Sequence, residues 1–249
     1  MTRAHTIHAG PPSLQAHALN VNMAARTLIA SLDCAIEPGD ILGILGPNGA
    51  GKSSLLALLA GLAIPAQGQV TLDGQSVASL PPLLRAQHIG LLPQGDEGGF
   101  FGSVADFVAL GRYPWPDAKD DLAEQLLAWD LMDLATRRFD TLSGGERQRA
   151  RLAQLSAQNS GIYLLDEALT YLDPAHQARL LAWARAQADT KKSVVLTLHD
   201  PNWAATHCDR LLFLYGDGRW QMGTPHTLLS SAALESLYGV ESARLWRSM

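Results

Sequence analysis

The chain has 249 residues, of which 47% are hydrophobic and 17% charged, and its formal net charge is −5. This composition excludes a largely disordered chain and predicts a sizeable buried core, in one large domain or two small ones. The negative charge also argues against nucleic acid as the main partner, because the basic surface that contacts phosphates is missing.

Cysteine content and hydropathy limit the class further. Cys34 and Cys208 are far apart in the sequence and predict reduced thiols, not a disulfide framework or a zinc site. Residues 1–20 lack an apolar segment, so a secretory signal is not expected. The longest apolar run, 55–66, is too short to cross a bilayer. Any role at a membrane is therefore expected to be peripheral.

The predicted elements alternate between strands and helices. Continuous apolar runs are typical of strands buried in a parallel sheet, and helical spacing after residue 103 predicts a helical insert. The predicted strands are 21–36 (as short strands), 41–45, 69–72, 89–92, 162–165, 194–198 and a hairpin of 211–215 with 219–222. The predicted helices are 53–62, 104–110, 121–134 and 174–188. This order predicts an α/β fold with a parallel sheet.

A phosphate-binding loop is indicated by the segment GPNGAGKS at residues 46–53. It matches the pattern G-x-x-x-x-G-K-[ST] between a predicted strand and a predicted helix, which is the context that such a loop requires. Its glycines let backbone N–H groups approach phosphate oxygens closely. Lys52 is expected to reach the β- and γ-phosphates, and Ser53 to be a ligand of Mg²⁺. The alternative is a chance glycine-rich turn, which this context disfavours.

Two adjacent carboxylates, Asp166 and Glu167, follow the strand predicted at 162–165. The carboxyl end of a central strand lies beside a phosphate loop at the same edge of the sheet. We expect Asp166 to hold Mg²⁺, directly or through water, and Glu167 to polarise the attacking water as a general base. An acidic pair at such a place is often only a solvated strand end, but the phosphate loop favours the catalytic interpretation.

A second anion site is predicted at residues 142–149, which have the sequence LSGGERQR. A loop that ends in Ser-Gly-Gly before a basic, helix-forming run presents backbone N–H groups at a helix N-terminus. These first N–H groups have no partner within the helix, and the helix dipole favours negative charge there. The chain therefore has two predicted phosphate-binding helix starts.

His199 and Gln94 each lie after a predicted strand. A lone histidine is usually structural, and a glutamine at a strand end means little by itself. His199 comes directly after the strand at 194–198, where it could hydrogen-bond a γ-phosphate oxygen. Gln94 lies just before the helical insert. The other histidines are expected to be structural.

Taken together, these residues resemble the ATP-binding subunit of ABC transporters, over residues 19–238. The resemblance implies a P-loop NTPase core with a mostly parallel sheet, an N-terminal antiparallel β subdomain and an inserted helical subdomain. It implies a single ABC ATPase domain at residues 17–240, with the insert at about 95–160. Residues 1–16 are expected to form a flexible extension.

The resemblance also assigns roles to single residues, with ATP and Mg²⁺ as cofactors. Glu167 and His199 are the implied catalytic residues, and Asp173 belongs to the D-loop. The implied ATP-binding residues are Gly46, Pro47, Asn48, Gly49, Ala50, Gly51, Lys52, Ser53, Ser54 and Gln94. The signature residues that contact ATP bound to the other chain are Ser143, Gly144, Gly145 and Glu146. The implied Mg²⁺ ligands are Ser53, Gln94 and Asp166.

The partners that the resemblance implies are other proteins. A head-to-tail homodimer forms on ATP, and it drives a two-subunit transmembrane permease at the cytoplasmic face of the bacterial inner membrane. A substrate-binding protein is an indirect partner, and nucleic acid is not expected. The segments VALGRYPW at 108–115, DPAHQ at 173–177 and HDPNWAA at 199–205 resemble importers of iron–siderophores, haem and cobalamin. An ordinary packed loop remains an alternative for residues 113–115.

Two departures from the family bear on function. No aromatic residue precedes Phe100, so no aromatic ring is available upstream of the phosphate loop to stack on adenine, and poor discrimination between ATP and GTP is expected. Ala168 follows Glu167, where the family usually has proline. The charged catalytic groups are all present, which favours an active ATPase. The alternative to an importer subunit is a soluble ABC ATPase of a non-transport machine.

Overall fold

The computed structural model describes residues 12–95, 99–115 and 122–239. The strands are β1 Leu14–Met23, β2 Arg26–Ile36, β3 Ile41–Leu45, β4 Gln69–Leu72, β5 Gln75–Ser76, β6 Ile89–Leu92, β7 Ile162–Leu165, β8 Ser193–Thr197, β9 Arg210–Leu214 and β10 Trp220–Gly223. The helices are α1 Lys52–Leu59, α2 Pro82–His88, α3 Val104–Ala109, α4 Ala123–Ala128, α5 Gly144–Gln158, α6 Pro174–Asp189, α7 Pro201–His207, α8 Pro225–Leu228 and α9 Ser231–Tyr238. Single 3₁₀ turns are Val77–Ser79, Leu110–Arg112, Met132–Leu134 and Phe139–Thr141.

The strands form two sheets. The larger has six strands in the order β10-β9-β3-β8-β7-β6, in which all neighbours are parallel except the antiparallel pair β9 and β10. The smaller is antiparallel, in the order β2-β1-β4-β5. The predicted fold class is therefore confirmed, and the carboxyl ends of β3, β7 and β8 meet at one edge of the larger sheet.

The larger sheet is buried on both faces. Every residue of β3, β7 and β8 is buried, as expected of parallel strands covered by other layers. Successive residues of β7 point to opposite faces: Tyr163 and Leu165 belong to one apolar cluster, with the helical insert and α6, while Ile162 and Leu164 belong to a second, with α1 and the antiparallel sheet. These two clusters hold the phosphate loop and the insert against the same sheet.

The N-terminal boundary lies earlier than expected. β1 begins at Leu14, and both Leu14 and Ala16 are buried and paired with β2 and β4. The expected start of the domain at residue 17 therefore falls inside a strand, because burial of these two apolar side chains extends the hairpin. Of the expected extension 1–16, residues 1–11 lie outside the described part of the chain.

Two helices are shorter than expected because the chain turns into a left-handed conformation. After α1, Gly61 has φ 67° and the N–H of Leu62 donates to the carbonyl of Ala57, which is a Schellman motif. The helix predicted at 121–134 is confined to α4, because Asp130 has φ 52° and the N–H of Leu131 donates to the carbonyl of Leu126. Residue 121 lies outside the described part of the chain.

The helical insert follows β6 and includes α3, α4 and α5. Phe107 stacks on Phe139 with ring centroids 4.0 Å apart, and Phe100 meets both rings edge-on. This aromatic cluster joins α3 to the loop before α5. In the described part of the chain, no helix has the length and apolar composition needed to span a bilayer.

Candidate functional site

A cleft of about 510 Å³ opens where β3, β7 and β8 end. It brings together residues that are far apart in the sequence, from the phosphate loop, from the segment after β6 and from the ends of β7 and β8. Its lining residues are Met23, Leu28, Asn48, Gly49, Gly51, Lys52, Ser53, Ser54, Gln94, Glu167 and His199. The structure therefore places predicted residues from four separate segments around one cleft.

The phosphate loop is wrapped around the side chain of Lys52. Its Nζ donates to the carbonyls of Gly46, at 2.7 Å, and Pro47, at 3.1 Å, and the residue is only 5% exposed. Burial lowers the pKa of Lys52, while the negative charges of Glu167 and Asp166 raise it in partial compensation. The positive charge of Lys52 and the N-terminus of α1 therefore both favour an anion at this place.

Two glycines are needed for this loop geometry. A Cβ on Gly46 would lie 2.3 Å from the carbonyl oxygen of Leu214, so only glycine fits against the neighbouring strand β9. Gly51 has φ 98°, which glycine adopts without strain. Pro47 and Ala50 complete the turn, since the N–H of Ala50 donates to the carbonyl of Pro47 at 3.2 Å.

Thr197 connects the two adjacent carboxylate residues. Its hydroxyl donates to Oδ1 of Asp166 at 2.8 Å and accepts the backbone N–H of Glu167 at 2.6 Å. Asp166 is 4% exposed and Thr197 is 2% exposed. Glu167 has φ 48°, a left-handed conformation that costs energy for a residue other than glycine. The hydroxyl thereby stabilises a strained backbone at a candidate catalytic residue.

Glu167 contacts the two other predicted polar residues of the cleft. Its Oε2 accepts from Nε2 of Gln94 at 2.8 Å, and its Oε1 lies 3.0 Å from Nε2 of His199. Gln94 follows β6, Glu167 follows β7 and His199 follows β8, so three strand ends supply one polar cluster. A carboxylate held in this way beside a phosphate loop can orient a water and accept its proton.

The signature segment forms the N-terminus of α5. Ser143 is the N-cap: its hydroxyl accepts the N–H of Glu146 at 3.3 Å, and the Glu146 carboxylate accepts the N–H of Ser143 at 2.7 Å. Ser143 and Gly144 are exposed. Among the described residues, however, the cleft has no lining residue from this segment, so the two predicted anion sites of one chain lie apart.

The signature helix is fastened to the segment that follows Glu167. Nε2 of Gln148 donates to the carbonyl of Ala168 at 2.8 Å, and Gln148 is 5% exposed. A Cβ on Gly145 would lie 3.1 Å from the carbonyl oxygen of Tyr171. Asp173 is outside the cleft and is the N-cap of α6, where its Oδ1 accepts the N–H of His176 at 2.9 Å.

Some residues of the site were not predicted as such. The signal for Thr197 was a single polar side chain in the apolar run 194–198. Gln148 lies inside the segment 142–149 that was predicted as an anion site, but its bond to the carbonyl of Ala168 was not predicted. Nothing in the local sequence pointed to Leu28, which enters the cleft because β2 passes beside the loop and a Cβ on Gly51 would lie 3.3 Å from its side chain.

Comparisons with known proteins agree with this geometry. A family model described as ABC transporter matches residues 29–170. The hemin import ATP-binding protein HmuV of Pseudomonas fluorescens (strain Pf0-1) is 40% identical over 237 residues, covering 92% of this chain and 93% of its own. The protein of the same name from Nocardia farcinica is 38% identical over 252 residues, covering 95% of this chain and 88% of its own.

Solved structures show the same fold. An inward-facing metal-chelate type ABC transporter matches with a TM-score of 0.76 and 31% identity, over 91% of this chain and 89% of that one. A bacterial Atm1-family ABC exporter with ATP bound matches with a TM-score of 0.83 and 25% identity, over 100% of this chain and 44% of that one. With the phosphate loop and carboxylates described above, these matches show that the chain belongs to the ABC transporter family and is an ATP-binding domain that hydrolyses ATP.

Proposed function

We propose that this chain is the ATPase subunit of an ABC importer and that it powers uptake of a metal chelate, with haem as the leading candidate over iron–siderophores and cobalamin. The observation that carries the proposal is the single cleft in which Lys52, Gln94, Glu167 and His199 meet. The relatives named for hemin import, which match over 92% of the chain, support the choice of haem.

In this proposal, ATP phosphates lie on the loop 46–53 and the start of α1, where Lys52 neutralises negative charge. Ser53 and Asp166 supply hard oxygen ligands for Mg²⁺, with Gln94 contributing through its amide oxygen. No group of three or more His, Cys, Asp or Glu residues suited to a metal occurs in the described ranges. Mg²⁺ usually keeps waters and phosphate oxygens as ligands, so the few protein oxygens named here would suffice to hold it beside ATP.

Glu167 is the proposed general base, and His199 and Gln94 orient it. The carboxylate accepts from Gln94 and lies within hydrogen-bond distance of His199, so its position is set from both sides. When nucleotide and water are present, Glu167 takes a proton from the attacking water, and His199 donates to the γ-phosphate as charge develops there. The hydroxyl of Thr197 joins the Asp166 carboxylate to the backbone N–H of Glu167 and so fixes the positions of these two residues relative to each other.

A head-to-tail homodimer explains why the two anion sites of one chain lie apart. The exposed N-terminus of α5, with Ser143, Gly144 and Gly145, is proposed to cap the ATP held on the phosphate loop of a second copy. Two-fold symmetry then gives two equivalent composite sites. Because ATP contacts both chains, it stabilises the closed dimer, and hydrolysis releases it. Within each chain, the Glu146 carboxylate accepts the N–H of Ser143 and so fixes the backbone of the residue that caps the ATP.

The proposed permease contact lies on the helical insert, at the cytoplasmic face of the membrane. Large apolar side chains are exposed there, among them Phe101 at 73%, Leu110 at 48% and Tyr113 at 79%. Exposed apolar side chains that form a contiguous patch are typical of a protein interface, and these three belong to the same insert. We propose that a two-subunit permease docks on this insert, and that a substrate-binding protein delivers the chelate to the permease.

A growth experiment tests the substrate. A strain of the source organism that lacks this chain is complemented with wild type or with Glu167→Gln. Each strain is given haem, a ferric siderophore or an inorganic iron salt as the iron source. Cobalamin uptake is tested separately, under conditions in which the vitamin is required for growth. Growth on haem that needs the wild-type chain supports the proposal. Undiminished growth of the deletion strain on haem, with a defect on another chelate, would reassign the substrate; no defect on any chelate would reject the metal-chelate importer.

A further inference from the structure

The turn that ends α4 is held by side chains from two other helices. Nη1 of Arg179, on α6, donates to the carbonyl of Ala128 at 3.1 Å. Nη1 of Arg149, on α5, donates to the carbonyls of Trp129 at 3.0 Å and Asp130 at 2.8 Å. The last carbonyls of a helix have no partner within it, so these guanidinium groups satisfy them and fasten α4 to both α5 and α6.

The side chain of Asp130 adds two contacts to α6. Its Oδ2 lies 2.7 Å from Nη1 of Arg179 and 3.3 Å from Nε2 of His176. Asp130 has φ 52°, so its backbone adopts the left-handed conformation that closes the turn. The carboxylate is thereby directed toward α6 by the same turn that ends α4.

His176 continues the chain of contacts to the D-loop, residues 170–173. Its Nδ1 lies 2.9 Å from Oδ2 of Asp173, and its backbone N–H donates to Oδ1 of Asp173 at 2.9 Å. The imidazole therefore bridges two carboxylates from different parts of the fold, Asp130 on the helical insert and Asp173 on the D-loop. With its side chain 18% exposed, it is the least exposed of the four ion-paired side chains that meet here.

We name five residues the Asp130 clamp: Asp130, Arg149, Asp173, His176 and Arg179. They join the turn after α4 to the signature helix α5 and to α6, which follows the D-loop. Arg149 lies on the helix that begins with the signature segment, and Asp173 begins α6 at the end of the D-loop. A displacement of the insert relative to the sheet must therefore either break the clamp or carry the D-loop with it.

We propose that Asp130 and His176 are positioning residues that transmit the position of the helical insert to Asp173, and so set the rate of ATP hydrolysis more than the affinity for ATP. The inference rests on the proposed function, in which the N-terminus of α5 caps the ATP of a second copy, because the D-loop packs against this N-terminus at Gly145 and Tyr171. Neither residue touches the nucleotide cleft, because neither lines it. The effect is therefore expected in kcat and not in KM.

Two variants separate the arms of the clamp. Asp130→Gly removes the carboxylate but keeps a residue that adopts positive φ readily. His176→Asn retains an amide near the position of Nδ1, beside Asp173, but is too short to reach Asp130. Since exposed ion pairs contribute little to folding, both variants are expected to fold. Asp217→Asn, in the exposed ion pair of Asp217 with Arg219 at 2.8 Å between β9 and β10, is the matched control outside the clamp.

Steady-state ATP hydrolysis and hydrogen exchange of the first turn of α6 are the two readouts. We expect Asp130→Gly and His176→Asn to lower kcat about two- to fivefold, the range that ~0.5–1 kcal/mol for an exposed ion pair implies, while KM for ATP stays within about twofold. We also expect amide exchange at position 176 to increase in both variants, and Asp130→Asn, which keeps a hydrogen-bonding oxygen, to recover most of kcat. Asp217→Asn should match wild type.

The result that overturns the clamp is distinct from the one that overturns the proposed function. Unchanged kcat in both Asp130→Gly and His176→Asn shows that these contacts do not transmit the position of the insert to Asp173. Unchanged amide exchange at position 176 in both variants shows the same. The exchange measurement needs no transport partner and no substrate. If the haem growth test fails, the exchange measurement therefore still tests the clamp.

Discussion

Replacement of Thr197 by valine tests the arrangement of the two carboxylates most sharply. The hydroxyl donates to Asp166 at 2.8 Å and accepts from the N–H of Glu167 at 2.6 Å, and the residue is 2% exposed. Thr197→Val keeps the β-branched shape but leaves a buried N–H and a carboxylate oxygen without a partner. A neutral hydrogen bond contributes ~1 kcal/mol and one to a charged group ~1.5–3 kcal/mol, so unfolding free energy should fall by about 2.5–4 kcal/mol.

Chemical denaturation followed by circular dichroism measures this loss, with Thr197→Ser as the matched control. Serine keeps the hydroxyl and removes one buried methyl group, which costs about 1 kcal/mol. Valine should therefore be less stable than serine by about 2 kcal/mol, and it should also have the lower kcat, because Glu167 loses its anchor. Equal stability of the two variants would refute the view that this hydroxyl holds Asp166 and Glu167 together.

Three further predictions concern the cleft and the signature helix. Glu167→Gln should abolish steady-state hydrolysis while nucleotide binding persists, measured by phosphate release and by fluorescent-ATP titration; unchanged turnover would remove Glu167 from catalysis. Met23 and Leu28 line the cleft, and no aromatic ring lines it among the described residues. We therefore expect comparable kcat/KM for ATP and GTP, and Met23→Tyr should tighten nucleotide binding by ~1 kcal/mol or more through base stacking; a strong ATP preference in wild type would contradict this. Ser143→Ala should cost ~1 kcal/mol of stability through the lost N-cap. The backbone N–H of Ser143, and after it the hydroxyl, lower the pKa of Glu146, so the bonds to this carboxylate stabilise the fold above its unfolded-state pKa and are lost as pH falls through the folded value. Alanine keeps the backbone N–H, and the bond from the N–H of Glu146 to the Ser143 hydroxyl does not titrate, so a loss in Ser143→Ala that disappears at low pH would exclude the N-cap bond as its source.

The central strands were predictable because a strand buried on both faces has a continuous run of apolar residues. β3, β6 and β7 have the bounds that their apolar runs predict, and β8 differs by one residue at each end. The ends of α1 and α4 were not predictable from periodicity, because each depends on one residue with positive φ, Gly61 or Asp130. Periodicity reports which face of a helix is buried, whereas a helix end depends on backbone conformation at one position.

The cleft shows the same division between local and long-range information. Lys52 and Glu167 were predictable because each stands beside a strand or helix that the sequence marks clearly. The contacts of Glu167 with Gln94 and His199 depend on the strand order β8-β7-β6, which single-sequence patterns do not specify. Thr197 was missed for this reason: its partners, Asp166 and Glu167, directly follow the neighbouring strand β7, about thirty positions earlier in the sequence.

The most direct test of the account is to purify this chain from gently solubilised membranes of the source organism and to identify by mass spectrometry what accompanies it. We expect a polytopic permease in an amount equal to this chain, together with a substrate-binding protein. A soluble assembly that contains no membrane protein would contradict the importer and favour an ABC ATPase of a non-transport machine.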